Sequence, residues 1–141
     1  MTLFFKYTRV NRPDGTEVKT PSIPVLLCGD ETFDTVALVD SGADISALPE
    51  RLAHILGLDL SGKRSPAYGI GGKVEAVDTS MGIVVERGHE RYGFTIPVKV
   101  ILGNYDFPVL LGKAGFFEKF IISFDQIRER VLLKRQHTTI S

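Results

Sequence analysis

The chain carries one cysteine, Cys28, in 141 residues. No internal disulfide can form and no multi-cysteine metal site can be assembled, so a reducing compartment, the cytoplasm, is the natural expectation. Net charge is missing as well, because 17 Lys and Arg offset 17 Asp and Glu. That balance removes the electrostatic case for nucleic acid or an anionic membrane as a partner, and Lys134-Arg135 reads as part of a solvated tail. No stretch approaches the ~18 apolar residues that span a bilayer. The opening Met1 to Lys6 is too short in its apolar part, and wrong in charge pattern, for a signal peptide. Repeats, low-complexity blocks and linkers are also lacking. What remains, 43% hydrophobic and 24% charged residues, is the make-up of one globular domain spanning 1–141, with a polar tail at about 136–141.

Short segments punctuated by Gly and Pro dominate, and most have β character. Leu3 to Val10 reads as a strand, followed by a turn at Pro13-Asp14-Gly15, where proline presets φ and glycine accepts a positive one. Val18 to Leu27 returns as its partner, with Pro21 and Pro24 confining it to an edge or making it irregular. Phe33 to Val39 ends in a continuous apolar run and is expected to be buried. One helix is expected between Leu48 and Gly57, with Leu48, Leu52, Ile55 and Leu56 on its apolar face. Ser46 is its candidate cap, Pro49 suits its first turn and Gly57 its end. Met81 to Glu86 and Arg91 to Leu102 bracket a hairpin turn at Arg87-Gly88-His89-Glu90. Phe107 to Leu111, Phe120 to Phe124 and Arg130 to Leu133 complete the strands, with a helical turn around Ala114 to Lys119. The fold class is therefore mostly β with one amphipathic helix.

Asp40-Ser41-Gly42-Ala43 stands at the end of the apolar run Val36-Ala37-Leu38-Val39. A carboxylate avoids the end of a buried strand unless it is paired or hydrogen-bonded. The residues that follow, a small hydroxyl and a glycine, let the backbone turn tightly against it. About thirty residues on comes the glycine-rich Tyr68-Gly69-Ile70-Gly71-Gly72, and later Val109-Leu110-Leu111-Gly112. Each alone has a plain reading as a turn, a loop or a strand end. Gly69-x-Gly71 lacks the third glycine and the helix start that a nucleotide-binding loop needs. His54, His89 and His137 are far apart in sequence and Cys28 is alone, so no metal, no cofactor and no Cys/His nucleophile is expected. Tyr105-Asp106 and Phe124-Asp125 are adequately explained as turn and strand-end residues.

Taken in order, the three segments resemble the retropepsin-like aspartic proteases, the single-lobe relatives of pepsin, over roughly residues 15 to 133. The resemblance implies a closed β-barrel-like acid-protease fold with a glycine-rich flap hairpin. It makes Asp40 the catalytic carboxylate and Ser41 and Gly42 the supports of the active-site loop. Gly42, Ala43, Asp44, Tyr68, Gly69, Ile70 and Gly71 become substrate-binding residues, with Ile70 at the flap tip. Tyr68 is either a flap residue or a packing aromatic. Asp44 either pairs with Lys113, which stands where retroviral members carry arginine, or caps the helix. Only one Asp-Ser/Thr-Gly is present. The chemistry needs two carboxylates sharing a proton, so the partner must be Asp40 of a second copy. The expected protein is a homodimeric aspartic endopeptidase acting on extended polypeptide. The alternative is a dimeric peptide-binding or scaffolding domain that keeps the fold with weak catalysis. The segments Leu3-Phe4-Phe5 and Val131-Leu132-Leu133 are apolar enough to contribute to dimerisation.

Overall fold

The computed structural model describes residues 2–69 and 72–136. Strand β1 (Thr2–Lys6) and β2 (Thr8–Asn11) divide the first expected strand at Tyr7. The break has a partner, since the Tyr7 N–H donates to the Glu129 carbonyl at 2.8 Å. The Pro13-Asp14-Gly15 turn leads into β3 (Glu17–Thr20), which pairs with β2 as an antiparallel ribbon. Pro21 then separates β3 from β4 (Ser22–Cys28), dividing the second expected strand in the same way. Strand β5 (Thr32–Val39) follows β4 antiparallel and leads to the Asp40 turn.

After β6 (Ser46–Pro49) comes the helix α1 (Glu50–Leu56), shorter than the expected Leu48–Gly57. Leu48 is a strand residue and Pro49 is the N-cap. Gly57, left-handed at φ 69°, ends the helix, and the next N–H, of Leu58, reaches back to the Ala53 carbonyl at 3.0 Å. The buried helix face is Leu52, Ala53 and Leu56 rather than one containing Ile55, which is 46% exposed. With only two turns, the packing partner decides which side is covered.

Strands β7 (Arg64–Gly69) and β8 (Gly72–Arg87) form a hairpin, and β8 turns at Gly88 into β9 (Glu90–Ile101). The chain finishes with β10 (Val109–Leu111), a 3-10 turn at Phe117–Lys119, β11 (Phe120–Asp125) and β12 (Arg130–Arg135).

Seven strands make one sheet in the order β4-β5-β10-β6-β9-β8-β7, and β4 also pairs with β8 at Leu26 to Cys28, closing a ring. Pro24 survives in this interior strand because it lies ahead of the β8 pairing, so one of its sides is free of ladder bonds. Inside the ring lie Ile23, Leu27, Leu48, Met81, Ile83, Ile96, Val98 and Leu111, each at most 1% exposed. Their burial supplies the main driving force for closure. A second sheet, β1-β12-β11, lays Leu3, Phe5, Val131 and Leu133 onto the same core. Phe116 and Phe120, with ring centroids 5.4 Å apart, fill the space between the two sheets. The expected full burial of β5 is corrected here. Ala37 and Val39 are buried, whereas Phe33 and Val36 are 38% and 39% exposed and line an outer groove with Leu52 and Ile55 of α1.

Candidate active site

The Asp40 loop is built by two segments lying against one another. Strands β5 and β10 run parallel, with Leu111 opposite Val39. Asp40 extends that contact, its N–H donating to the Leu111 carbonyl at 3.0 Å. The chain then turns, and the Ala43 N–H reaches the Asp40 carbonyl at 3.2 Å. Returning from the other side, Lys113 N–H donates to Ala43 O and Ala114 N–H to Asp44 O, both at 2.9 Å. Each bond occupies a backbone group that would otherwise be desolvated without a partner.

Gly112 is what lets the segments meet. A Cβ there would fall 2.7 to 2.9 Å from Ile45 C, Ala43 O and Ile45 O, all backbone atoms. Its N–H donates to Ser46 Oγ at 2.9 Å, inside the protein. Ser46 is therefore no helix cap. It is fully buried and satisfies an amide 66 residues away.

Asp40 itself is half-buried, and its Oδ1 accepts the Gly42 N–H at 2.9 Å. The carboxylate is thus oriented by its own turn. Ser41 and Gly42 are exposed, and among the described residues the Ser41 hydroxyl has no hydrogen bond. Asp44 is 91% exposed, with its Oδ1 3.8 Å from Lys113 Nζ. The helix-capping alternative for Asp44 is not what the structure has, since α1 carries no side-chain cap.

Beside the turn opens a cleft of 530 Å³. Gly42, Ala43 and Asp44 form one wall, and Pro66, Ala67, Tyr68 and Val74 of the β7–β8 hairpin form another. Tyr68 is 77% exposed and so does not act as a packing aromatic within the chain. Gly69 closes β7 opposite Gly72, while Ile70 and Gly71 lie outside the described residues. The structure therefore brings Gly42, Ala43, Asp44 and Tyr68 to one cleft, while Asp40 is not among the lining residues and is joined to them through the bond from the Gly42 N–H.

The rest of the lining is Ile45 and Ala47, next to the turn, and Lys99, Ile101, Phe107 and Leu110, and sequence reasoning assigned none of these six to the site. Lys99 is held by Asp78 Oδ1 at 2.8 Å and Ser65 Oγ at 3.1 Å. Strand alternation was the available signal, because Lys99 and Ile101 face away from the buried Val98 and Val100. Among the described residues no group of three His, Cys, Asp or Glu side chains could hold a metal ion, and no helix is long and apolar enough to cross a membrane.

A closed ring of strands with one helix among the described residues is a retropepsin-like fold. The chain belongs to the aspartyl protease family, whose profile matches residues 23–112. Among solved structures it is similar to a retropepsin-like aspartic protease from Rickettsia conorii, at 22% identity and a TM-score of 0.56. That match covers 94% of this chain and 92% of the other. It is also similar to the EIAV protease complexed with the inhibitor HBY-793, at 25% identity and a TM-score of 0.44. There the cover is 67% of this chain and 83% of that one. No curated protein matches in sequence.

Proposed function

We propose that the chain, as a single domain over residues 1–141, is a homodimeric aspartic endopeptidase whose catalytic pair is Asp40 from each of two copies. The observation that carries this reading is the half-site itself: one carboxylate, oriented by the N–H of Gly42, a residue that in turn lines a 530 Å³ cleft. Two such carboxylates brought together cannot both ionise readily, so they share one proton and titrate as a pair. The ionised member accepts a proton from a water, whose oxygen attacks the scissile carbonyl. The protonated member donates to the carbonyl oxygen, and proton return to the nitrogen releases the amine. Ser41 is assigned to bridging the two loops, and the β7–β8 hairpin, with Tyr68, Gly69, Ile70 and Gly71, to covering an extended substrate. The exposed Ser41 hydroxyl and the position of Tyr68 on the cleft support these assignments. The single Cys28 supports a reducing compartment, the cytoplasm.

The test is cleavage of a mixed peptide library from acidic to neutral pH, with sedimentation to set the dimer fraction. Asp40→Asn should lower cleavage by at least about a thousandfold while preserving the fold and the dimer. Cleavage that persists in Asp40→Asn, or that is undiminished when only monomer is present, would refute the mechanism.

A further inference from the structure

The loop from Leu102 to Pro108 joins β9 to β10 and carries Phe107 into the cleft. Phe107 also lines a second groove of 600 Å³ on the outside of the molecule, beside Ile55, Val36 and Phe33. The loop's position thus decides where one apolar wall of the cleft stands. Its own backbone does little to hold it. Leu102 N–H donates to Glu75 O at 2.9 Å at the start. Among residues 103 to 108 the one hydrogen bond described is from the Gly103 N–H to Glu50 Oε1, at 2.9 Å.

That acceptor is built for the task. Glu50 sits in the first turn of α1, directly after the Asp40 loop and β6. Its other oxygen, Oε2, lies 3.0 Å from His54 Nε2 one turn further on, which fixes the side-chain rotamer. The Gly103 N–H, with His54 second, holds its carboxyl below the usual glutamate range, as expected of a carboxylate accepting a backbone amide. Arg51 Nη2 reaches Asp106 Oδ1 at 3.8 Å, a looser second tie between the same helix and the same loop. Gly103 is the residue that this geometry requires. Its φ is +116°, and a Cβ there would lie 2.8 Å from the Tyr105 ring.

We infer that Glu50 is a positioning residue for substrate binding, clamping the Leu102–Pro108 loop through the Gly103 amide so that Phe107 forms a fixed wall of the cleft. This role rests on the cleft being the substrate site proposed above. It acts on binding and not on the reacting atoms, since Glu50 reaches the cleft only through the loop. Ordering the loop before substrate arrives removes an entropic cost from each binding event. The isosteric amide of Gln keeps the acceptor, whereas Ala removes it.

The test compares wild type, Glu50→Ala, Glu50→Gln and Phe107→Ala. The readouts are Gly103 amide exchange by NMR, peptide cleavage kinetics and the Kd of a non-cleavable hydroxyethylene peptide bearing large apolar side chains. Glu50→Ala should speed Gly103 exchange by about tenfold or more. It should also raise KM and the isostere's Kd by about three- to tenfold, with kcat within about twofold. Glu50→Gln should restore all three. Phe107→Ala should weaken binding similarly while leaving Gly103 exchange unchanged. Unaltered Gly103 exchange in Glu50→Ala would show that the clamp is absent. Faster exchange with unchanged KM and Kd would show that it does not position the wall. If wild type binds the isostere but cleaves nothing, the protease reading fails and the clamp is judged by Kd alone. If it neither binds nor cleaves, both fail.

Discussion

Replacing Gly112 by alanine puts the largest demand on the architecture for the smallest chemical change. The added Cβ would lie 2.7 Å from Ile45 C, 2.8 Å from Ala43 O and 2.9 Å from Ile45 O, where ordinary contact begins at 3.4 Å. The shortfall is about 0.5 to 0.7 Å against three backbone atoms, none of which can rotate away. Overpacking of this kind costs about 1 to 3 kcal/mol. Relieving it means parting residues 43–45 from 112–114. That lengthens the bonds from Lys113 N–H to Ala43 O and from Ala114 N–H to Asp44 O, and the buried bond from Gly112 N–H to Ser46 Oγ. Loss of one such bond adds about 1 kcal/mol, giving a total of about 2 to 4 kcal/mol. The measurement is urea unfolding at fixed protomer concentration, because dimerisation would make stability depend on concentration. The midpoint should fall with the slope unchanged. Ser46→Ala, which strands the buried Gly112 amide, should cost about 1 to 3 kcal/mol. The double variant should lose less than the sum, since both substitutions act on one contact. A Gly112→Ala protein within about 0.5 kcal/mol of wild type, or strict additivity with Ser46→Ala, would refute this account of the loop.

Three other outcomes are expected. Leu133→Ala, at a site with no exposure between Leu3 and Ile122, should lose about 2 to 5 kcal/mol through lost transfer energy and an unfilled cavity. A loss under about 1 kcal/mol would show that the second sheet is loosely joined to the core. Lys113→Ala should change stability by less than about 0.5 kcal/mol, because its pairing with Asp44 is long and both side chains face solvent. A larger change, followed by denaturant titration, would mean that the pair is more shielded than its exposure indicates. The third concerns pH. Asp14 and Asp59 have lowered carboxyl pKa values from the hydroxyls, then the amides, of Thr16 and Ser61. Asp125 is lowered by the Arg128 amide first, and Glu50 by the Gly103 amide first. A lowered folded pKa stabilises above the unfolded values of 3.8 and 4.5, and that stabilisation is lost as pH falls through the folded ones. Melting temperature should therefore decline from about pH 5 downward, and Asp125→Asn should flatten that decline. A melting temperature independent of pH across this range would contradict the assignment.

The divide between what was legible and what was not follows the range of the interactions. Strand and turn signals are local, so Pro13-Asp14-Gly15, the Arg87 to Glu90 hairpin and the Gly57 helix end could be read from neighbouring residues. The Asp40 turn was readable for the same reason: the bond from Gly42 N–H to Asp40 Oδ1 spans two residues. Ser46 misled because a serine before a helix normally caps it, and the competing partner, the Gly112 amide, lies 66 residues away. Ile55 and Ala53 exchanged places because periodicity gives a stripe, while the neighbouring strands decide which part of it is covered. The divisions at Tyr7 and Pro21 were hidden because each serves a distant bond, Tyr7 N–H to Glu129 O and Val39 N–H to Pro21 O.

By itself, then, the order of apolar runs, glycines and the single Asp-Ser-Gly determined a mostly β fold, the family and the one carboxylate on which a catalytic reading rests. Tertiary structure decided what surrounds that carboxylate. The ring closes through β4 and β8, Gly112 admits two backbones to a single crossing, and Lys99, Phe107 and Leu110 arrive at the cleft from elements far along the chain. Local chemistry acts between neighbours in sequence. A cleft wall is a matter of neighbours in space, and those exist only once the core inside the ring has been buried.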